Sequence, residues 1–353
     1  MRAHTERDPL KTSPPPRRRA DIRYRLTAVV ITFGGLLVVV SVLAPLVGTT
    51  HVSLARALDR SVPFADNVDA QIFFIARLPR VVAAALVGAG LATAGVVFQA
   101  LLRNPLAAPE TLGVSVGASL GAMIAITLLP PAAIAGVSAV SVASFLGSLG
   151  ALAVVYALSL ARSRGMSSTV LLLGGVVLTT FLGAIVTFIQ YLADFTKTFQ
   201  TVRWLMGSLD VGSYSAIAAS LVPMACAAVG YATLPRTLDL ITLGPDAAAA
   251  RGVDVGRAER VALVTASLST GAAVALGGPI GFIGIVVPHL VRMLVGADHR
   301  LVLPASALFG AAFLIGCDLI ARTIAAPVEL PVGIVTAMIG GPFFLWLLLR
   351  RAR

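Results

Sequence analysis

The sequence predicts an all-α polytopic membrane protein with ten transmembrane helices, and three observations carry that prediction. Of the 353 residues, 58% are hydrophobic and 12% are charged, and the charged share is about half of what soluble domains carry. Mean hydropathy is +0.93, more apolar surface than one soluble core could bury. Apolar windows of about 20 residues, the length that crosses hydrocarbon as a helix, recur along the chain.

The windows lie near 26–48, 79–102, 110–129, 138–160, 168–190, 214–234, 261–277, 279–296, 304–320 and 331–349. Ahead of the first, residues 1–25 carry eight Lys and Arg, including Arg17–Arg19 after Pro14–Pro16. Such a segment is too polar and proline-rich to fold, and it reads as a disordered basic cytoplasmic tail. Leu26–Gly48 is longer than the apolar core of a cleaved signal peptide, so it is read as a retained first span. Residues 26–353 then form one membrane domain. Within 261–296, Gly277-Gly278-Pro279 interrupts one long apolar stretch, and the division into two spans rests on that break.

Charge fixes the orientation. With the N-terminus inside, the inner segments hold 20 Lys and Arg and the outer segments hold 7 of the 27, as the positive-inside rule expects. Both termini are therefore expected in the cytoplasm. The net charge of +11 orients the chain in its bilayer and speaks against a nucleic-acid partner. Small residues crowd the spans, as in Gly113-x-x-x-Gly117-x-x-x-Gly121, a spacing that lets helix backbones approach closely. The helix at 79 and the helix at 261 run in opposite directions, an arrangement found in many transporters, although no internal repeat is visible.

Leu234–Arg260 is the longest internal stretch that hydrocarbon would reject. Asp239, Asp246, Asp254 and Glu259 stand there against Arg236, Arg251, Arg257 and Arg260, each costing a few kcal/mol at a bilayer centre. Asp246–Arg251 is alanine-rich and helix-favouring, with Gly244 and Gly252 as stops. The segment reads either as a solvated loop or as a handle gripped by a soluble partner.

Much chemistry is missing. The two lysines, Lys11 and Lys197, follow no glycine, so no phosphate-binding G-x-x-x-x-G-K-[ST] loop exists. The chain cannot hydrolyse ATP by that mechanism alone. Cys226 and Cys317 lie in apolar runs without a Cys/His cluster, so neither a metal site nor a disulfide framework is indicated. Four scattered histidines form no catalytic set. Glu110, Asp318 and His289 fall near predicted helix ends, which lowers the case for a proton-driven carrier. Arg77 and Arg80 open a span at its outer end, and Arg322 stands in a short outer loop. Such guanidiniums suit the carboxylates of a docking protein or anchor helix ends at lipid headgroups.

Several stretches together resemble one family: R-L-P-R at 77–80, N-P-L-A at 104–107, L-G-V-S-V-G-A at 112–118 and W-L-M-G-S-L at 204–209. G-F-I-G-I-V-V-P-H-L-V-R at 281–292, D-H-R at 298–300, L-P-A-S-A-L at 303–308 and E-L-P-V-G-I-V-T-A at 329–337 complete the set. The chain resembles the FecCD-type permease subunits of the iron-siderophore, haem and vitamin B12 importers of the ABC class. The resemblance implies a ten-helix subunit in the inner membrane of a bacterium. That subunit pairs with a second copy or a paralogue around a central pathway. It also implies two cytoplasmic ATPase subunits, which hold ATP and Mg, and an extracytoplasmic substrate-binding protein; the permease itself binds no cofactor and is not an enzyme.

The resemblance further implies roles for residues. Leu243, Gly244, Asp246, Gly252 and Val253 match the ATPase-coupling segment within 235–260, from which Pro245 and Arg251 depart. Arg77, Arg80 and Arg322 match arginines that pair with the binding protein. Asn104 and Leu106, with Ser168 and Thr169, match a cytoplasmic gate. Trp204, Gly207 and Ser208 match the outer mouth. The rival reading is an ion-coupled secondary carrier that needs no ATPase; a weaker third is a sensor or scaffold subunit.

Overall fold

The computed structural model describes residues 18–48, 50–130, 132–134, 136–162, 167–211 and 213–351. Fifteen α-helices follow in order within them: α1 (Arg18–Leu43), α2 (Leu54–Ala57), α3 (Val68–Gln71), α4 (Leu78–Leu101), α5 (Val114–Leu128), α6 (Ala139–Arg162), α7 (Ser168–Leu192) and α8 (Phe195–Leu205). They continue as α9 (Tyr214–Thr233), α10 (Pro235–Ile241), α11 (Pro245–Ala249), α12 (Val255–Gly277), α13 (Ile283–Val295), α14 (His299–Thr323) and α15 (Val332–Arg351). A two-residue ribbon pairing Ala133 with Ser138 and Ile134 with Val137 departs from the all-α class.

Seven of the described helices are long and apolar enough to cross a membrane. Shorter apolar helices, Val114–Leu128, Ile283–Val295 and Val332–Leu347, stand at the remaining predicted windows. Two of these are short because other backbone replaces their first turns. A 3-10 turn at Pro109–Leu112 and Gly113 (φ 78°) precede α5, and Gly278 (φ 70°) and Phe282 (φ 70°) precede α13. The expected boundary at residue 25 is corrected: α1 begins at Arg18, so its first two turns come from the basic segment, and residues 1–17 lie outside the described residues.

Helix starts are set by side chains that accept otherwise unpaired amides. Ser167, Asp194, Asp254 and Asp298 accept from the amides of Val170, Lys197, Arg257 and Arg300. The Arg300 guanidinium also grips Asp298 and holds its carboxyl below the usual carboxylate range.

At the centre stands α4, continued at its N-terminal end by a π-helical turn at Ile72–Arg77 and by α3. It is 78% buried over its most apolar stretch, against 11% for α1 at the periphery. Around α4 pack α12, α13 and α14, with α9 in contact as well. The approach is close because glycines meet across it. A Cβ on Gly95 would collide with the backbone of Gly284 in α13, and one on Gly88 with the backbone of Gly310 in α14. The predicted small-residue stripe works the same way: Gly117 and Gly121 lie against Gly147 and Ala143 of α6.

Candidate functional site

The polar segment 235–260 folds into a knob. Pro235 and Pro245 open α10 and α11, positions where the missing amide costs nothing. Between them Gly244 adopts φ 111°, ψ 152°, a conformation that side chains with a Cβ rarely adopt. Gly252 (φ 81°) ends the turn, where the Val253 amide returns to the Ala248 carbonyl at 3.2 Å. Ile241, Ala248 and Ala258 are buried together, with Leu240, Val253 and Val255 packed against them. This small core is separate from that of the bundle. Leu243 is 62% exposed, and Asp246 and Arg251 project beside it. Of the five expected coupling residues, Leu243, Gly244, Asp246 and Gly252 thus form the outer turn, while Val253 seals the small core beneath. The solvated-loop alternative is corrected, since the segment holds two helices and the first turns of α12.

Leu238 of α10 is buried in the core of the bundle, and a polar contact adds to that join. Asp239 Oδ1 of α10 lies 3.1 Å from the backbone amide of His299 and 2.5 Å from its ring Nδ1. His299 is buried at the first turn of α14.

At the far end of α14 the charges close on one another. Asp318, 1% exposed, receives Arg80 Nε at 2.8 Å and stands 3.0 Å from Arg322 Nε. Arg80 Nη1 reaches Glu329 at 2.6 Å. Arg322 also donates to the carbonyls of Ala44 and Val47, and Arg77 to those of Pro45 and Thr50. Two sequence expectations are corrected here. Arg322 lies inside α14 rather than in a short outer loop, and Asp318 is an ion-paired interior residue rather than a helix-end cap. Arg77, Arg80 and Arg322 are held within the chain instead of projecting toward solvent. The i,i+4 spacing of Asp318 and Arg322 was the available signal; Glu329 gave none.

The expected gate residues lie on two segments, the turn after α4 and the start of α7. Asn104 Oδ1 accepts from the Leu106 amide at 2.9 Å and forms a tight turn after α4, with Leu106 41% exposed. The chain then passes through Pro109–Leu112, which packs on α7 at Gly175, two turns along from Ser168 and exposed Thr169. The expected mouth residues do come together. Trp204 lies in the last turn of α8, Gly207 (φ 74°) turns the chain, and the Ser208 amide donates to the Gly277 carbonyl at 2.9 Å. A Cβ on Gly207 would stand 2.9 Å from the Pro279 carbonyl oxygen, so α8 is seated on the break between α12 and α13.

The apolar bundle with its polar knob is that of a membrane permease, and comparison with known proteins assigns it to the ABC class. The chain belongs to the FecCD transport family, whose model matches residues 36–350. It is 42% identical to the uncharacterized ABC transporter permease protein YvrB of Bacillus subtilis, over 82% of this chain and 81% of that protein. It is also 42% identical to the hemin transport system permease protein HmuU of Yersinia pestis, over 78% and 82%. Identity to the cobalamin import system permease protein BtuC of Halobacterium salinarum is 43%, over 77% and 72%. A solved structure of a metal-chelate type ABC transporter in an inward-facing conformation matches with a TM-score of 0.78 at 32% identity, covering 92% of this chain and 99% of that one.

Proposed function

We propose that the chain imports a metal chelate of the iron-siderophore type, forming the pathway with a second copy or a paralogue. Haem and cobalamin are the competing cargoes, since relatives named for both are equally similar. All ten apolar helices span the bilayer in this reading, with both termini and the knob in the cytoplasm. Two ATPase subunits grip the knob, and ATP and Mg reside on them.

One observation carries the proposal: the knob's exposed turn at Leu243–Asp246 is backed by its own core and joined through Asp239 to His299 of α14. A partner that prefers one orientation of the knob therefore biases α14, and a partner indifferent to that orientation would move nothing. Two cavities of about 450 and 520 Å³ flank α9, walled mostly by Ala, Leu, Val and Pro. Such walls suit no charged chelate, which favours a pathway between two subunits. Asn104, Leu106, Ser168 and Thr169 gate its cytoplasmic end, and Trp204, Gly207 and Ser208 line its outer mouth. The Arg77, Arg80 and Arg322 cluster belongs to the face on which the binding protein docks.

The test is uptake into vesicles by the chain reconstituted with its cognate ATPase and binding protein, using ferric siderophore, haem and cobalamin in parallel. ATP-dependent uptake of a ferric chelate supports the reading. Uptake by the chain alone under an ion gradient would establish the secondary carrier instead.

A further inference from the structure

The mouth cluster holds two carboxylates of different standing. Asp318 is 1% exposed and fixed between Arg80 and Arg322. Glu329 is 47% exposed and lies in the short connection between α14 and α15, where it accepts from Arg80 Nη1 at 2.6 Å. Breaking a buried pair by removing one partner is costly, whereas an exposed pair contributes little and exchanges readily. Around them lies a polar cavity of about 140 Å³ that Arg77, Arg80, Arg322 and Glu329 help to line. Arg77 bonds there to neutral carbonyls, and the carboxylate acting on its charge is Asp69 rather than Asp318 or Glu329. With Glu329 in place, the guanidiniums of Arg80 and Arg322 face two carboxylates; with Glu329 swung away, they face one.

We infer that Glu329 is a built-in stand-in for a partner's carboxylate. It holds the solvent-side prong of Arg80 while the mouth is undocked and yields it to a Glu or Asp of the docking protein. This rests on the reading of the mouth as the docking face. The stand-in keeps a cluster of cations from lying bare between docking events, and every encounter must displace it.

The experiment measures binding of the cognate binding protein to the full importer in nanodiscs at low salt. Wild type, Glu329→Gln, Arg80→Gln and the double variant are compared. If Glu329 competes with the partner, Glu329→Gln tightens binding about threefold to tenfold, mainly through faster association. Arg80→Gln weakens binding, and Glu329→Gln then adds nothing in the Arg80→Gln background. Weaker or unchanged binding in Glu329→Gln, with Arg80→Gln still weakening it, overturns the stand-in and leaves the docking face intact. Equal tightening in both backgrounds overturns it as well, because the carboxylate would then act only as a general repulsive charge. Wild-type binding by Arg80→Gln overturns the docking reading itself. If Arg80→Gln does not assemble, Arg80→Lys replaces it, keeping a cation on Asp318 without the second prong.

Discussion

Asp239 and His299, sixty residues apart in sequence, share one carboxylate oxygen that reaches both the backbone amide and the ring of the histidine. This polar contact joins knob to bundle beside the buried Leu238. His299 opens α14 and Arg322 closes it, so the 25 residues of α14 form a strut about 37 Å long between the knob and the ion-paired mouth. Asp239→Ala removes the shared acceptor at a cost of about 1–3 kcal/mol. Uptake should fall several-fold while the ATPase still co-purifies. Unchanged uptake would show that this contact transmits nothing.

Gly244 and Asp246 should separate folding of the knob from its grip. Asp246 is exposed, so Asp246→Lys is expected to leave yield and thermal stability unchanged while loosening the ATPase. Gly244 sits at φ 111° with open space around it. A Gly244→Val change meets backbone strain of about 1–3 kcal/mol rather than a clash, and both stability and association should decline. Co-purification and melting in detergent distinguish the two.

At the α4–α13 crossing, Gly95→Leu forces a side chain into the backbone of Gly284. Overpacking of this kind costs about 1–3 kcal/mol or more, and the melting temperature should drop clearly. Gly150 is the control, because a Cβ added there would meet nothing within 4 Å. Gly150→Ala should be silent.

Asp318→Ala leaves Arg80 and Arg322 buried without their shared anion, a loss of about 3–5 kcal/mol. Arg77→Glu combined with Arg80→Glu, which on exposed arginines would probe docking, places acids inside the cluster and should abolish folded yield. Size-exclusion profiles of both variants decide the matter. Monodisperse protein with wild-type melting would contradict the buried network.

Acid should erase one contribution to stability. Arg300 depresses the carboxyl of Asp298 in the folded chain, so its contribution is present above the unfolded value near ~3.9 and is lost as pH falls through the lower folded value. Asp298→Asn should therefore melt below wild type by a constant margin from pH 5 to 8, and the gap should narrow in stronger acid. A margin that changes between pH 5 and 8 would assign the effect to another group.

The apolar windows were legible because hydrocarbon demands length and composition, both properties of consecutive residues. The pair Gly117 and Gly121 was legible for a related reason, since its spacing places it on one helix face, whereas Gly113 turns out to precede α5 in left-handed backbone and to lie against α7. Leu234–Arg260 announced itself by charge, and its stops at Gly244 and Gly252 lie where the backbone needs them. Arg77, Arg80 and Arg322 were legible as arginines near helix ends, but their engagement was not. Whether a guanidinium faces a partner or an internal carboxylate depends on what another helix brings beside it.

Sequence by itself thus determined the class of protein, the place of its polar knob and its family, because each is written in runs of neighbouring residues. The tertiary structure decided which charges are shared: Asp239 with His299, and Arg80 with Asp318 and Glu329. Such pairs span from 60 to 249 positions along the chain. No periodicity relates residues so far apart; only the packing of α4, α10 and α14 brings them within hydrogen-bonding distance.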